Sequence, residues 1–146
     1  MELGNIKLTW TEIGTLYSKR LFLCDQIVKF MTFGKTDNYD QSYVRKWLNS
    51  DFLDLISEKE KAKIEPFPLT EKYDYVCIAG DKFFLLSKEE YKDFKSNIRD
   101  AGAPWWLRTQ GHYVNYVSYV EVSGGYVDRT HRLNPNVGVR PAFLMD

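Results

Sequence analysis

The stretch 112–137 holds the side chains best suited to touching another molecule. Tyr113, Asn115, Tyr116, Tyr119, Tyr126, Asp128, Arg129, His131, Arg132, Asn134 and Asn136 alternate there with Val114, Val117, Val120, Val122 and Val127. Rings bring contact area with few torsions to freeze, and short polar groups bring adaptable hydrogen bonds, the mixture used by antibody paratopes. The valines supply the β-propensity that would hold such groups on a pleated surface. These polar and aromatic residues are the candidate ligand-binding set, and the expected ligand is a protein or a glycan.

Bond-making chemistry is harder to assemble. His112 and His131 are the two histidines, and neither lies near a Cys, Ser or acid at a spacing used for nucleophilic catalysis. Cys24 and Cys77 are the two cysteines, without a Cys-x-x-Cys pair, and two thiols do not make a metal cluster. Both sit in apolar runs, Leu21-Phe22-Leu23-Cys24 and Val76-Cys77-Ile78, and read as buried, reduced core thiols, with a disulfide between them as the alternative. No glycine-rich phosphate loop is present. Asn134-Pro135-Asn136 is like the Glu-Pro-Asn tripeptide with which sugar-binding C-type lectins hold calcium, but its first residue is not acidic. Calcium wants carboxylates among its oxygens, so the tripeptide reads as a plain turn. The expectation is a binding protein with no catalytic residue, no metal and no cofactor.

Charge narrows the partner. Lys plus Arg and Asp plus Glu number 20 each, so the net charge is zero and the basic excess of a nucleic-acid binder is missing. Lys and Glu are denser over 57–99, which reads as a solvated face. No apolar run is long enough to cross a bilayer, and the first residues carry no basic stretch followed by an apolar one. The expectation is a soluble chain with no membrane partner and no signal peptide. Its oligomeric state is left open.

The elements that must position the candidate face follow from periodicity. Alternation over 6–13 predicts a strand that Gly14 interrupts, with 20–24 as its antiparallel partner. The segment 25–33 fits a helical turn or an irregular crossing. Val44, Trp47, Leu48, Phe52 and Leu55 repeat at helical spacing, predicting a helix or helix pair over 41–56. Ser57 with Glu60 is a capping-box pattern, predicting a short helix to about Ile64 that Pro66 and Pro68 end. Strands are predicted over 73–78 and 82–86. Ser87 with Glu90 is a second capping box, opening a helix to about Ile98 with Tyr91 and Phe94 inward. Strands at 113–122, 125–132 and 138–144 follow, the first two joined at Gly124-Gly125. The whole, 1–146, reads as one α+β domain with an N-terminal hairpin, two to three short helices and a C-terminal antiparallel sheet.

Four pieces in register resemble a bacterial and phage family without an assigned function. They are Tyr43-Val44-Arg45-Lys46-Trp47-Leu48-Asn49-Ser50-Asp51-Phe52, Glu58-Lys59-Glu60-Lys61-Ala62-Lys63-Ile64, Asp81-Lys82-Phe83-Phe84-Leu85-Leu86-Ser87-Lys88-Glu89-Glu90, and the tail Trp105-Trp106-Leu107-Arg108, Gly111, Gly138-Val139-Arg140-Pro141-Ala142-Phe143. Thr109-Gln110 stands where that family usually has Ser-Pro. The family is similar to the C-type-lectin-like superfamily, which includes formylglycine-generating enzymes and the variable proteins of diversity-generating retroelements. The resemblance implies a C-type-lectin-like fold and a cytoplasmic or phage-particle location. It implies that 112–137 is the region that retroelement relatives diversify, and it leaves two other functions open. One is a phage or mobile-element inhibitor that binds a host defence protein; the other is a degenerate formylglycine-generating-type enzyme, whose paired late cysteines Cys24 and Cys77 do not match. Arg108 and Arg140, flanked by apolar residues within these motifs, are expected to hold backbone carbonyls or a carboxylate structurally. Trp10, Trp47, Trp105 and Trp106 are expected in the core.

Overall fold

A computed structural model describes residues 2–3, 6–68, 78–122 and 125–146. Strands β1 (Glu2–Leu3) and β2 (Ile6–Lys7) pair with each other. Strand β3 (Trp10–Leu16) turns through Tyr17 and Ser18 into β4 (Lys19–Cys24). Both turn residues have positive φ, 52° and 64°, the geometry whose twist matches a two-residue hairpin. Gly14 does not interrupt the strand. It lies inside β3 where the pairing slips between Glu12 and Gly14, and a Cβ there would come within 2.3 Å of the Phe94 ring. The glycine therefore answers to a bulge and to a close approach.

After β5 (Lys29–Phe30) come α1 (Tyr43–Leu48), α2 (Asp51–Asp54), α3 (Glu58–Lys61) and α4 (Lys88–Phe94), the last extended by a 3-10 turn over Lys95–Asn97. The helix pair expected over 41–56 is α1 and α2. Ser57 accepts from the Glu60 amide, but α3 ends at Lys61 and the chain reaches Ile64 through turns. At α4 both halves of the capping box form: Ser87 Oγ accepts from Glu90 N, and Glu90 Oε1 accepts from Ser87 N. Tyr91 is buried and Phe94 packs on the core, as the spacing requires.

The remaining strands are β6 (Trp105–Gln110), β7 (Tyr116–Val120), β8 (Val127–His131), β9 (Gly138–Val139) and β10 (Ala142–Met145). Several expectations about them change. The C-terminal sheet is mixed rather than antiparallel: its order is β5-β9-β6-β7-β8, and β6 runs parallel to β9 at Trp105 and Gly138. The strand expected over 138–144 is broken at Arg140-Pro141. Its second half leaves for a sheet of order β10-β4-β3, so the tail stitches the N-terminal hairpin to the larger sheet. The strand expected over 113–122 begins only at Tyr116, and β6, the central strand of the sheet, is one that the periodicity does not predict. Of the strand expected over 73–78 only Ile78 lies within the described residues, where it is buried; Cys77 lies outside them.

The run 82–86 is not a strand either. Phe83, Phe84, Leu85 and Leu86 are fully buried, and only Phe84 makes a β-bridge, to Ala142. A buried irregular segment must find partners for its backbone groups one by one. Asn49 Oδ1 accepts from Lys82 N and Phe83 N at 2.9 and 3.2 Å, and Asn49 Nδ2 donates to Phe83 O. Tyr39 Oη accepts from Leu85 N, Arg108 Nη1 donates to Leu85 O, and Arg108 N donates to Leu86 O. Arg45 holds Asp81 just upstream with two bonds of 2.8 and 3.0 Å. Asn49 and Arg45 from one motif and Arg108 from another thus converge on one core-crossing segment.

Rings dominate the packing around it. Phe83 touches Trp10, Phe52 and Phe143, while Phe84 and Arg108 pack on Phe67. Trp105 and Trp106 are buried; Trp10 and Trp47 pack against the core while partly exposed. Arg140 is 1% exposed, donates Nε to Cys24 O and lies over the Trp105 ring. Cys24 is buried with a free thiol, which burial pushes up to about 11, so it stays in the unreactive thiol form. Among the described residues no helix is long and apolar enough to cross a membrane.

Candidate functional site

The register of β7 on β8 sorts the candidate residues onto two faces. Tyr116 sits opposite His131, Ser118 opposite Arg129 and Val120 opposite Val127; Val117 and Tyr119 point the other way, opposite Thr130 and Asp128. On the first face, at the end nearest the 110–116 turn, four rings meet edge to face in series. His112 and Tyr113 have centroids 5.5 Å apart, Tyr113 and Tyr116 6.1 Å, and Tyr116 and His131 5.8 Å. The Arg129 guanidinium lies 4.5 Å above the Tyr113 ring. Tyr113 is 56% exposed, and Tyr116 and His131 are half-buried. Edge-to-face contacts restrict each ring before any ligand arrives, and the cation over Tyr113 adds attraction of its own.

Other candidates brace this cluster. Asn115 adopts φ 68°, a left-handed conformation that asparagine tolerates better than most residues. Its Oδ1 accepts from Arg132 Nε at 3.1 Å and its carbonyl from Arg132 N, while Arg132 Nη1 reaches Gly34 O. Asp37 accepts from Asn115 N at 2.7 Å and from Gln110 Nε2 at 3.0 Å, tying the turn to the loop before α1. His131 Nδ1 accepts from Leu133 N, and Asn134 bridges Thr130 Oγ1 and Asn136 N, shaping the chain beyond β8. Asn115→Ala is expected to lower stability by about 1–2 kcal/mol, since alanine resists positive φ and offers Arg132 no acceptor. Asn115→Gly should lose less, and urea titration of both variants measures the difference.

Tyr119 and Tyr126 stand apart from the cluster. Tyr119 projects from the opposite face and donates its hydroxyl to Glu121 at 2.7 Å; burial, with Glu121 beside it, pushes the phenol up to about 12. Tyr126, 71% exposed, and Asp128, exposed, lie toward the far end of the hairpin, where Glu121 N donates to Tyr126 O. Gly124 of the expected turn lies outside the described residues, and Gly125 takes φ 64°. The candidate set thus divides into a ring cluster (Tyr113, Tyr116, Arg129, His131), its braces (Asn115, Arg132, Asn134, Asn136) and an outlying group (Tyr119, Tyr126, Asp128).

Two contributors escaped the sequence reading. His112 joins the ring series, and its place beside Tyr113 in the same polar stretch was the available sign. Asp37 is far away in sequence, and nothing in its surroundings marks it. Beside the cluster, a groove runs between Lys88 and Glu89 at the start of α4 and Gln110, His112, Ser118 and Arg129. It offers polar groups of both signs next to the rings.

Comparison with known proteins adds a family. Residues 15–146 match the family described as "Domain of unknown function (DUF6273)". No curated protein and no solved structure matches the chain.

Proposed function

The chain belongs to the DUF6273 family of domains of unknown function, and on that premise we propose that it is a non-catalytic recognition module that takes a protein ligand on its ring cluster. The observation that carries this reading is the edge-to-face series His112, Tyr113, Tyr116 and His131 under Arg129, ordered by contacts within the chain. Binding hot spots are rich in Tyr and Arg, and ordering them beforehand lowers the entropic cost of association. Val114, 82% exposed, and Leu133, 49% exposed, border the rings in the chain and favour an apolar protein surface over a glycan. The C-type-lectin-like reading of the fold rests on the motif order, with the motif residues Asn49, Arg108 and Arg140 serving as internal supports.

The test is selection of binders from a displayed peptide library, with a glycan array run beside it. The expected result is a saturable peptide ligand that competes at the ring cluster. Binding by glycans alone, or peptides that ignore changes at Tyr113 and Arg129, would overturn the reading.

A further inference from the structure

At the other end of the β7–β8 hairpin, away from the rings, a cavity of about 160 Å3 opens between α4 with its 3-10 extension and the sheet. Trp105, Val120 and Tyr91 line it, Lys95 and Arg99 stand at its mouth, and Arg140 contributes to its wall. Arg140 uses Nε on Cys24 O at 2.6 Å, but its Nη1 is buried with no hydrogen-bond partner among the described residues. Leaving a buried donor unmatched is costly, and for a charged group more so. Burial also lowers the pKa of Arg140, the direction expected of a cation short of compensating acceptors. Two acids line the cavity as well: Glu121 is engaged by the Tyr119 hydroxyl, and Asp100, exposed at the mouth, accepts from Gly102 N and adds to the field that favours the Arg140 cation. A space of about 160 Å3 matches the roughly 150 Å3 that takes up benzene, so it is enough for a ligand with one small ring or a branched alkyl group.

We propose that this cavity binds a small organic carboxylate, with the Arg140 guanidinium taking the carboxylate and Trp105 and Val120 taking the apolar part. A planar guanidinium fork matches a carboxylate, whereas a phosphate would carry more charge against apolar walls than one buried arginine offsets. Lys95 and Arg99 offset the charges of Asp100 and Glu121 at the mouth, and Lys95 attracts the incoming anion. The site is independent of the ring cluster and of whatever that cluster binds.

Calorimetric titration of the full chain with acetate, isobutyrate, benzoate and inorganic phosphate tests this. Isobutyrate or benzoate should bind saturably, at least about tenfold tighter than acetate because of the apolar area buried, with phosphate weaker still. Since Arg140→Met removes the bond to Cys24 and can unfold the protein, two changes at the mouth serve instead. Val122 is 44% exposed there, and Val122→Trp should abolish binding while leaving the melting temperature of the ligand-free protein unchanged. Lys95→Ala should weaken binding about threefold through lost attraction. Absence of saturation by every carboxylate up to about 10 mM, a range covering even weak millimolar binding, overturns the proposal. So does undiminished binding by the Val122→Trp protein.

Discussion

Glu90→Ala is expected to cost about 3–5 kcal/mol of unfolding free energy, because it takes both carboxylate acceptors from a buried guanidinium. Arg108 is fully buried, and its Nη1 and Nη2 each donate to a Glu90 carboxylate oxygen at 2.6 Å. Glu90 is 7% exposed and also receives Ser87 N, so one side chain closes the cap of α4 and neutralises the arginine supporting 82–86. In a chain of 146 residues that loss lowers the melting temperature by about 10 °C, at roughly 2–4 °C per kcal/mol. Glu90→Leu combined with Arg108→Met should be less damaging than either change alone, since neither half of the buried ion pair remains, although Leu85 O loses a donor. Urea denaturation of the two single variants and the double variant measures this coupling. Additive losses would mean that the pair acts as two separate packing groups.

Tyr113→Ala, Tyr116→Ala and Arg129→Ala together should weaken ligand binding by at least about a hundredfold, since hot-spot side chains each carry about 2 kcal/mol or more. Tyr116 is half-buried, so part of the effect could come from loosened packing. The Tyr113→Ala/Arg129→Ala pair separates the two, because both side chains are exposed and their removal leaves the strand pairing of β7 with β8 in place. That pair should still lose about tenfold in affinity while keeping the wild-type urea midpoint. Tyr119→Phe and Tyr126→Ala should change affinity less than about threefold, since neither ring belongs to the cluster. Surface plasmon resonance with a selected peptide gives all these values in one series.

What the sequence reveals and what it hides divides along local and non-local lines. The Ser87–Glu90 capping box and the paired helices after Asp40 are written in neighbouring residues and form as expected, and the N-terminal hairpin forms too, with its first strand at Trp10–Leu16 instead of 6–13. Phe83, Phe84, Leu85 and Leu86 form an apolar run that suits a strand equally well. Their path across the core depends on Asn49, Tyr39 and Arg108, which are distant in sequence. The break at Arg140-Pro141 is similarly set from afar, by Cys24, whose carbonyl accepts Arg140 Nε and whose amide donates to Pro141 O. At the candidate site, composition finds the right stretch but not its faces. Only the register shows that Tyr116 and Tyr119 point to opposite sides, and that Asn115 and Arg132 serve each other.

The claim that matters most is that the ring cluster meets the ligand. Amide hydrogen exchange of the full chain, with and without a saturating selected peptide, addresses it residue by residue. Slowed exchange confined to 111–116 and 128–133, with β3, β4 and α1 unchanged, is the predicted result. Protection centred on the N-terminal hairpin or the α1–α2 pair, with the ring-bearing segments unaltered, would contradict it.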